Sequence, residues 1–303
     1  MRLSEEKIAG FRNFTNKLWN ISRFMLLNIE KPIRDIKKPK AQTAADEWIL
    51  WKLDNVINQS NTSLATYQFS QAGEILRDFT WNELADWYLE IAKVEGEKSE
   101  MLNYILNTIL KLWHPFMPFV TEQVWQEIYG ETSLMMEEYP KAEKGNKSLG
   151  KITPLESEVI EPIKKIRAVR TEYRIEPAKK ISGNIQSKNN QKLINDYASV
   201  FMRLAGLESI SDKNIVNGTS IIAGATKIEL ALSSSIDTTK EKARIEKEIA
   251  SVEPYVIQME KKLSNKEFVK NAPKIVVEKE QQKLEESKQK LEALRNQLLS
   301  LKK

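Results

Sequence analysis

The chain has 303 residues, no cysteine, 41% apolar residues and a net charge of +5 at neutral pH. That length accommodates two or three domains with cores of their own, and the missing thiols exclude disulfides and thiolate zinc sites. A charge this modest excludes a general polycation, so what matters is where the basic residues collect.

Met1 to Gly10 holds no apolar signal region, and the run Phe24 to Leu27 is far too short to cross a membrane. A soluble, cytoplasmic chain with no membrane partner is expected. Phe11, Phe14, Leu18, Ile21 and Met25 then form one helical stripe, and the amphipathic pattern repeats over 43 to 61, 69 to 94, 98 to 114 and, more briefly, 118 to 129. All seven tryptophans lie in the first 125 residues. This composition predicts a helical bundle over 1–130.

Residues 131–153, glycine- and proline-punctuated among Glu, Lys and Asn, read as a connector. Beyond it, 154 to 172 and 189 to 205 are helical in pattern. Ile181 to Ile185, Thr219 to Ala223 and Thr226 to Leu232 read as strands, the last two separated by Gly224 and Ala225. A small α+β module over 154–236 follows from this mixture. Ser233 to Asp237 links it to the last segment.

Residues 237–303 carry two heptad-spaced series. The first is Ile245, Ile249, Val252, Val256, Met259 and Leu263; the second is Glu280, Leu284, Ser287, Leu291, Leu294 and Leu298. Run antiparallel, facing residue numbers always add to 543, so the three- and four-residue steps stay matched along the whole length. The spacing predicts an antiparallel two-helix coiled-coil hairpin on the order of 30 to 40 Å long, with Val256 opposite Ser287 and Leu263 opposite Glu280 as weak rungs. Its turn is basic, with five lysines and one glutamate over 261 to 274. A second basic stretch, 163 to 180, holds seven cations against Glu172 and Glu176. Two basic surfaces on a mildly acidic remainder fit one extended polyanion touched in two places.

Catalytic constellations are nearly absent. The single histidine, His114, stands at a helix end before Pro115 and reads as a packed or capping ring, while no glycine-rich phosphate loop occurs. Asp78, Glu83 and Asp86 punctuate an aromatic helix and read as structural partners, with Asp86 beside Trp87 the first to inspect. The first helix differs, because opposite its apolar stripe lie Arg12, Asn13, Asn16, Lys17, Asn20 and Arg23 without an acid among them. Amides and guanidiniums read unpaired base edges and Lys holds phosphate, although amides bonded within a bundle give the same pattern.

Several segments carry a family resemblance. They are Gly10-Phe11-Arg12-Asn13-Phe14, Asn16-Lys17-Leu18-Trp19-Asn20, Asp46-Glu47-Trp48-Ile49-Leu50, Phe79-Thr80-Trp81 with Asp86-Trp87-Tyr88, His114-Pro115-Phe116-Met117-Pro118, and Leu263-Ser264-Asn265-Lys266-Glu267-Phe268-Val269. Together they resemble the anticodon-binding domain and C-terminal arm of the valine tRNA ligases, class I aminoacyl-tRNA synthetases. The resemblance covers nearly all of the chain, but the family's catalytic and editing domains and both of its ATP-handling motifs are missing. It implies a tRNA-binding C-terminal portion, inactive alone and monomeric, with no cofactor in this chain and ATP confined to the missing catalytic domain. The related isoleucine enzymes end in a cysteine-ligated zinc module, which a cysteine-free chain does not match.

The resemblance also implies where valine-specific tRNA would lie. The bundle would take the anticodon stem and loop through Arg12, Asn13, Lys17, Asn20 and Arg23. Arg167, Arg170, Lys179 and Lys180 would follow the tRNA backbone. At the arm tip Lys262, Lys266, Phe268, Lys270 and Lys274 would meet the elbow, while the catalytic domain of the same synthetase receives the acceptor end. Two other readings stay open: a coiled-coil scaffold for proteins, and a nucleic-acid-binding coiled-coil appendage.

Overall fold

Phe14, Leu18, Ile21 and Met25 recur at helical spacing, and all four are buried along one side of α1 (Glu5–Leu27). The computed structural model that shows this describes residues 5–130, 132–141, 153–210, 215, 219–232 and 238–264, with 280–281, 284–285, 287–288, 291, 295 and 298. The side chains of Phe11, Ile245 and Leu294 lie outside that description.

The chain divides into two compact units, Met1–Glu161 with Asn195–Val200, and Pro162–Ile194 with Phe201–Lys303. In the first, α1 is followed by α2 (Ala44–Ala65), α3 (Phe69–Asp78), a π-helical stretch Phe79–Tyr88, α4 (Leu89–Glu95), α5 (Ser99–Trp113) and α6 (Pro118–Tyr129). Helix α2 starts in a capping box, in which Thr43 Oγ1 accepts from the Asp46 amide and the Asp46 carboxylate accepts from the Thr43 amide. Asp46 is itself buried, and its oxygens also accept from Lys98 Nζ at 2.9 Å and the Tyr88 hydroxyl at 2.9 Å. The Tyr197 hydroxyl accepts the Ala45 amide at 2.9 Å, which ties 195–200 to the same helix start. Leu18, Met25, Ile49, Leu53, Tyr88 and Trp125 are fully buried in this core, each stabilising it by roughly 1.5 to 3 kcal/mol.

The π-helical stretch departs from the uninterrupted helix that the sequence pattern predicts. The Thr80 hydroxyl donates to Leu76 O at 2.7 Å, occupying the carbonyl that its own amide would use in an α-helix. At the far end the Leu89 amide reaches back five residues to Leu84 O. Part of the expected connector is also built into the first unit. Leu134 is buried in a short 3-10 turn, and Glu137 accepts from Lys111 at 2.9 Å and from Arg34 Nε at 2.8 Å.

A second π turn, Glu156–Ile160, leads to α7 (Glu161–Glu172), after which β1 (Ile181–Ser187), α8 (Gln191–Asp196), α9 (Ala198–Ala205), β2 (Leu207–Ile210), β3 (Thr219–Ala223) and β4 (Thr226–Leu230) follow. The strands form one mixed sheet in the order β2-β1-β4-β3, with β1 and β2 parallel and the other pairings antiparallel. Ile181, Gly183 and Ile185 alternate onto the face that also buries Ile228 and Leu230. Gly224, at φ +58, opens the two-residue turn from β3 to β4. The long helix α10 (Thr238–Ser264) follows and contains Pro254, and the described residues from 280 to 298 are helical as well.

Candidate nucleic-acid interface

Helix α1 sorts its residues by face. Arg12, Asn13, Asn16, Asn20 and Arg23 are exposed opposite the buried stripe, and Trp19 is 43% exposed among them. Lys17 has a different surrounding. Its Nζ lies 5.0 Å from the centre of the Trp81 ring and 3.3 Å from Asp86 Oδ1, both on the π-helical stretch. The arc is free of acids in sequence, yet the fold brings one to it.

Behind Lys17 the aromatic residues continue inward. Phe14 meets Trp81 at 6.1 Å and Trp113 at 4.8 Å, and Trp113 meets Phe116 edge-on at 6.0 Å. The Trp113 indole donates to Thr80 Oγ1 at 2.9 Å, so the hydroxyl that shapes the π stretch also fixes this ring. Phe14, Phe69, Trp113, Phe116 and Met117 line a cavity of about 570 Å³, with Thr15, Ser70, Glu74 and Arg77 as its polar members. An aromatic hollow beside cations and amides offers flat faces for stacking and donors at its rim. His114 Nδ1 lies 2.9 Å from Thr121 Oγ1, joining the end of α5 to α6. The residue therefore belongs to the helix junction.

In the second unit, Lys179 and Lys180 are exposed on the loop before β1, whereas the two arginines behave unlike each other. Arg167 is exposed and donates through Nε to Leu204 O at 2.8 Å. Arg170 is buried, and its guanidinium donates to Gly206 O at 3.1 Å, Glu176 O at 3.0 Å and Lys179 O at 2.7 Å. Burial pulls its pKa below the ordinary guanidinium value. Charge placement and the family resemblance put Arg170 among the cations expected along the tRNA backbone; in the structure its guanidinium is turned onto main-chain carbonyls.

Along α10, Val256 and Met259 are buried, and so is Leu291 later in the chain. Lys262 pairs with Glu280 at 2.9 Å, Glu260 with Lys288 at 2.7 Å, and Glu253 with Arg295. Lys266, Phe268, Lys270 and Lys274 lie outside the described residues. Among the described residues no helix is long and apolar enough to cross a membrane, and no cluster of three potential metal ligands occurs.

Two family models match the chain: the anticodon-binding domain of tRNA ligases over residues 46–185, and the tRNA-binding arm of valyl-tRNA synthetases over 237–302. The valine–tRNA ligase of Syntrophotalea carbinolica is 35% identical over 309 residues, and that of Carboxydothermus hydrogenoformans 35% identical over 298; each alignment covers 93% of this chain and 34% of the relative. The chain belongs to the valine–tRNA ligase family. It corresponds to the tRNA-binding, C-terminal part of such a synthetase, and the catalytic domain is absent from it. It spans about a third of the length of these relatives. Clostridium acetobutylicum valine–tRNA ligase is similar at 34% identity, again over 93% of this chain and 34% of the relative. A solved LeuRS–tRNA–LeuAMS complex from Agrobacterium radiobacter K84 superposes with a TM-score of 0.40 at 12% identity, over 74% of this chain and 25% of that one, a distance at which the likeness decides nothing.

Proposed function

We propose that this chain holds valine-specific tRNA for a valine–tRNA ligase, so that the catalytic domain of the same synthetase attaches valine with ATP. The observation that carries the reading is the succession, in one chain, of an anticodon-domain match and a valyl arm match. In this account Arg12, Asn13, Asn20 and Arg23 meet the anticodon stem and loop, Lys17 stays pinned by Asp86 and Trp81, and the aromatic cavity lies within reach of an unpaired base. Arg167, Lys179 and Lys180 follow the backbone. Binding energy gathered far from the chemistry then orients the acceptor end. This chain holds no cofactor of its own, works in the cytoplasm as a monomer and is inactive without the catalytic domain.

The last segment is an antiparallel coiled-coil hairpin in this reading, with Lys266, Phe268, Lys270 and Lys274 at the tRNA elbow. Its ion pairs support that geometry. Lys262 and Glu280 have numbers adding to 542, one from the seam value, and Glu260–Lys288 and Glu253–Arg295 both add to 548. A repeated offset is what two helices running in opposite directions at constant register produce. Glu280 thus gains a cationic partner at its weak rung.

The test compares binding of valine tRNA with anticodon-mutated and elbow-mutated transcripts over a salt series. Native tRNA should bind most tightly and both mutants more weakly, with affinity falling as salt rises. Equal binding of all three would sink the site assignments. Absence of tRNA binding together with self-association in sedimentation would favour the protein scaffold instead.

A further inference from the structure

Arg170 is a buried cation whose guanidinium donates to main-chain carbonyls on the loop before β1 and at Gly206. Helix α7 ends around it: Ile175 N–H bonds Arg170 O at 2.8 Å, and Arg174 takes φ +49, a left-handed helix end in which glycine is the usual residue. The following loop then folds back over the guanidinium, which bonds Glu176 O and Lys179 O from within. Gly206 closes the other side. Its carbonyl accepts both Arg170 Nη1 at 3.1 Å and the Ile181 amide at 3.3 Å, and a Cβ added there would sit 3.1 Å from the guanidinium carbon. A planar fork of donors suits three carbonyls at once, which a lysine ammonium on a flexible stem does less well.

We propose that Arg170 is a positioning residue for nucleic-acid contact, holding the Glu176–Lys180 loop so that Lys179 and Lys180 are presented together to a phosphate backbone. The inference rests on the tRNA reading above and assigns Arg170 no phosphate of its own. Fixing the loop before binding removes an ordering cost from the complex.

Four variants of the full chain test it: Arg170→Lys, Gly206→Ala, Lys179→Ala with Lys180→Ala, and that lysine pair combined with Arg170→Lys. Binding to valine tRNA is measured over a salt series, and amide hydrogen exchange is followed in the free chain. The lysine pair should lose on the order of tenfold in affinity and flatten the salt dependence by about two contacts. Arg170→Lys and Gly206→Ala, neither of which changes the charge, should show a similar loss, with faster exchange over 176 to 181 while Ile185 in β1 stays protected. Combining Arg170→Lys with the lysine pair should add little, since both act through the same two side chains. Multiplying losses would overturn the proposal, as would unchanged loop exchange in Arg170→Lys, or loss of protection throughout β1, which marks a general structural role. If the lysine pair binds tRNA like the wild type, the loop is not a contact and this inference alone fails. A wild-type chain that binds no tRNA would sink the tRNA reading as well.

Discussion

Lys17 shows how a fold adjusts the charge that a sequence advertises. With Asp86 Oδ1 3.3 Å away and the Trp81 face 5.0 Å beneath, its ammonium offers less to a phosphate than a solvated lysine would. Asp86→Asn should therefore raise affinity for tRNA and steepen its salt dependence by up to about 0.7 to 0.9 per released contact, measured by titration at several salt concentrations. An unchanged slope would mean that Lys17 stays outside the interface even when freed. A second residue, Glu137, contributes to acid sensitivity. Burial acts to raise its pKa, but hydrogen bonds from Lys111 and Arg34 outweigh this and hold it below the ordinary 4.5. A carboxylate with a lowered folded-state pKa contributes stability in full above its unfolded value, and that stability is lost as pH falls through the folded one. Glu156, lowered by Lys52 against the effect of burial, acts in the same direction. Denaturant midpoints should accordingly fall below about pH 4.5, and Glu137→Gln should flatten that fall. At this scale residue types were legible in the sequence. The pairings were not, because Lys17 and Asp86 lie 69 positions apart and no local period links them.

Among the elements, the π-helical stretch Phe79–Tyr88 has the clearest structural cause. Thr80 combines a bond to Leu76 O with acceptance of the buried Trp113 indole, so its hydroxyl serves two elements together. Thr80→Val keeps the shape and strands the indole N–H, which should cost about 1 to 3 kcal/mol in denaturant unfolding and alter Trp113 fluorescence. A smaller loss, with fluorescence unchanged, would place the origin of the stretch elsewhere. The amphipathic helices were readable because their apolar residues recur locally, and the β3–β4 hairpin because Gly224 and Ala225 separate two alternating runs. Strand β2 was not. Its four residues directly follow α9, and parallel pairing with β1 is fixed only by contacts distant in sequence. Residues 132–141 were equally opaque, since of the apolar triplet Leu134-Met135-Met136 only Leu134 is buried and so short a run has no period to reveal it. Pro254 has the opposite character, being plain in the sequence yet sitting inside α10. It removes one main-chain hydrogen bond and crowds the preceding turn, so Pro254→Ala should raise the helical circular dichroism signal and stiffen the arm.

For the whole molecule, the decisive question is whether the polar face of α1 and the lysines before β1 act on one tRNA. The residues proposed to meet the anticodon lie in the first unit, whereas Lys179 and Lys180 lie in the second. Each region by itself would give a modest, salt-sensitive association. Joined through one chain and one folded RNA, the second contact forms at high effective concentration, and affinity rises well beyond either alone. If the two groups of residues meet separate parts of the RNA, their contributions should combine independently. A double-mutant cycle between an anticodon-mutated tRNA and Lys179→Ala with Lys180→Ala should thus give fold-losses that multiply to within about a factor of two. If losing one contact abolishes the effect of losing the other, the regions do not engage the same RNA independently. The division of labour between bundle and loop would then have to be given up, even if each binds RNA separately.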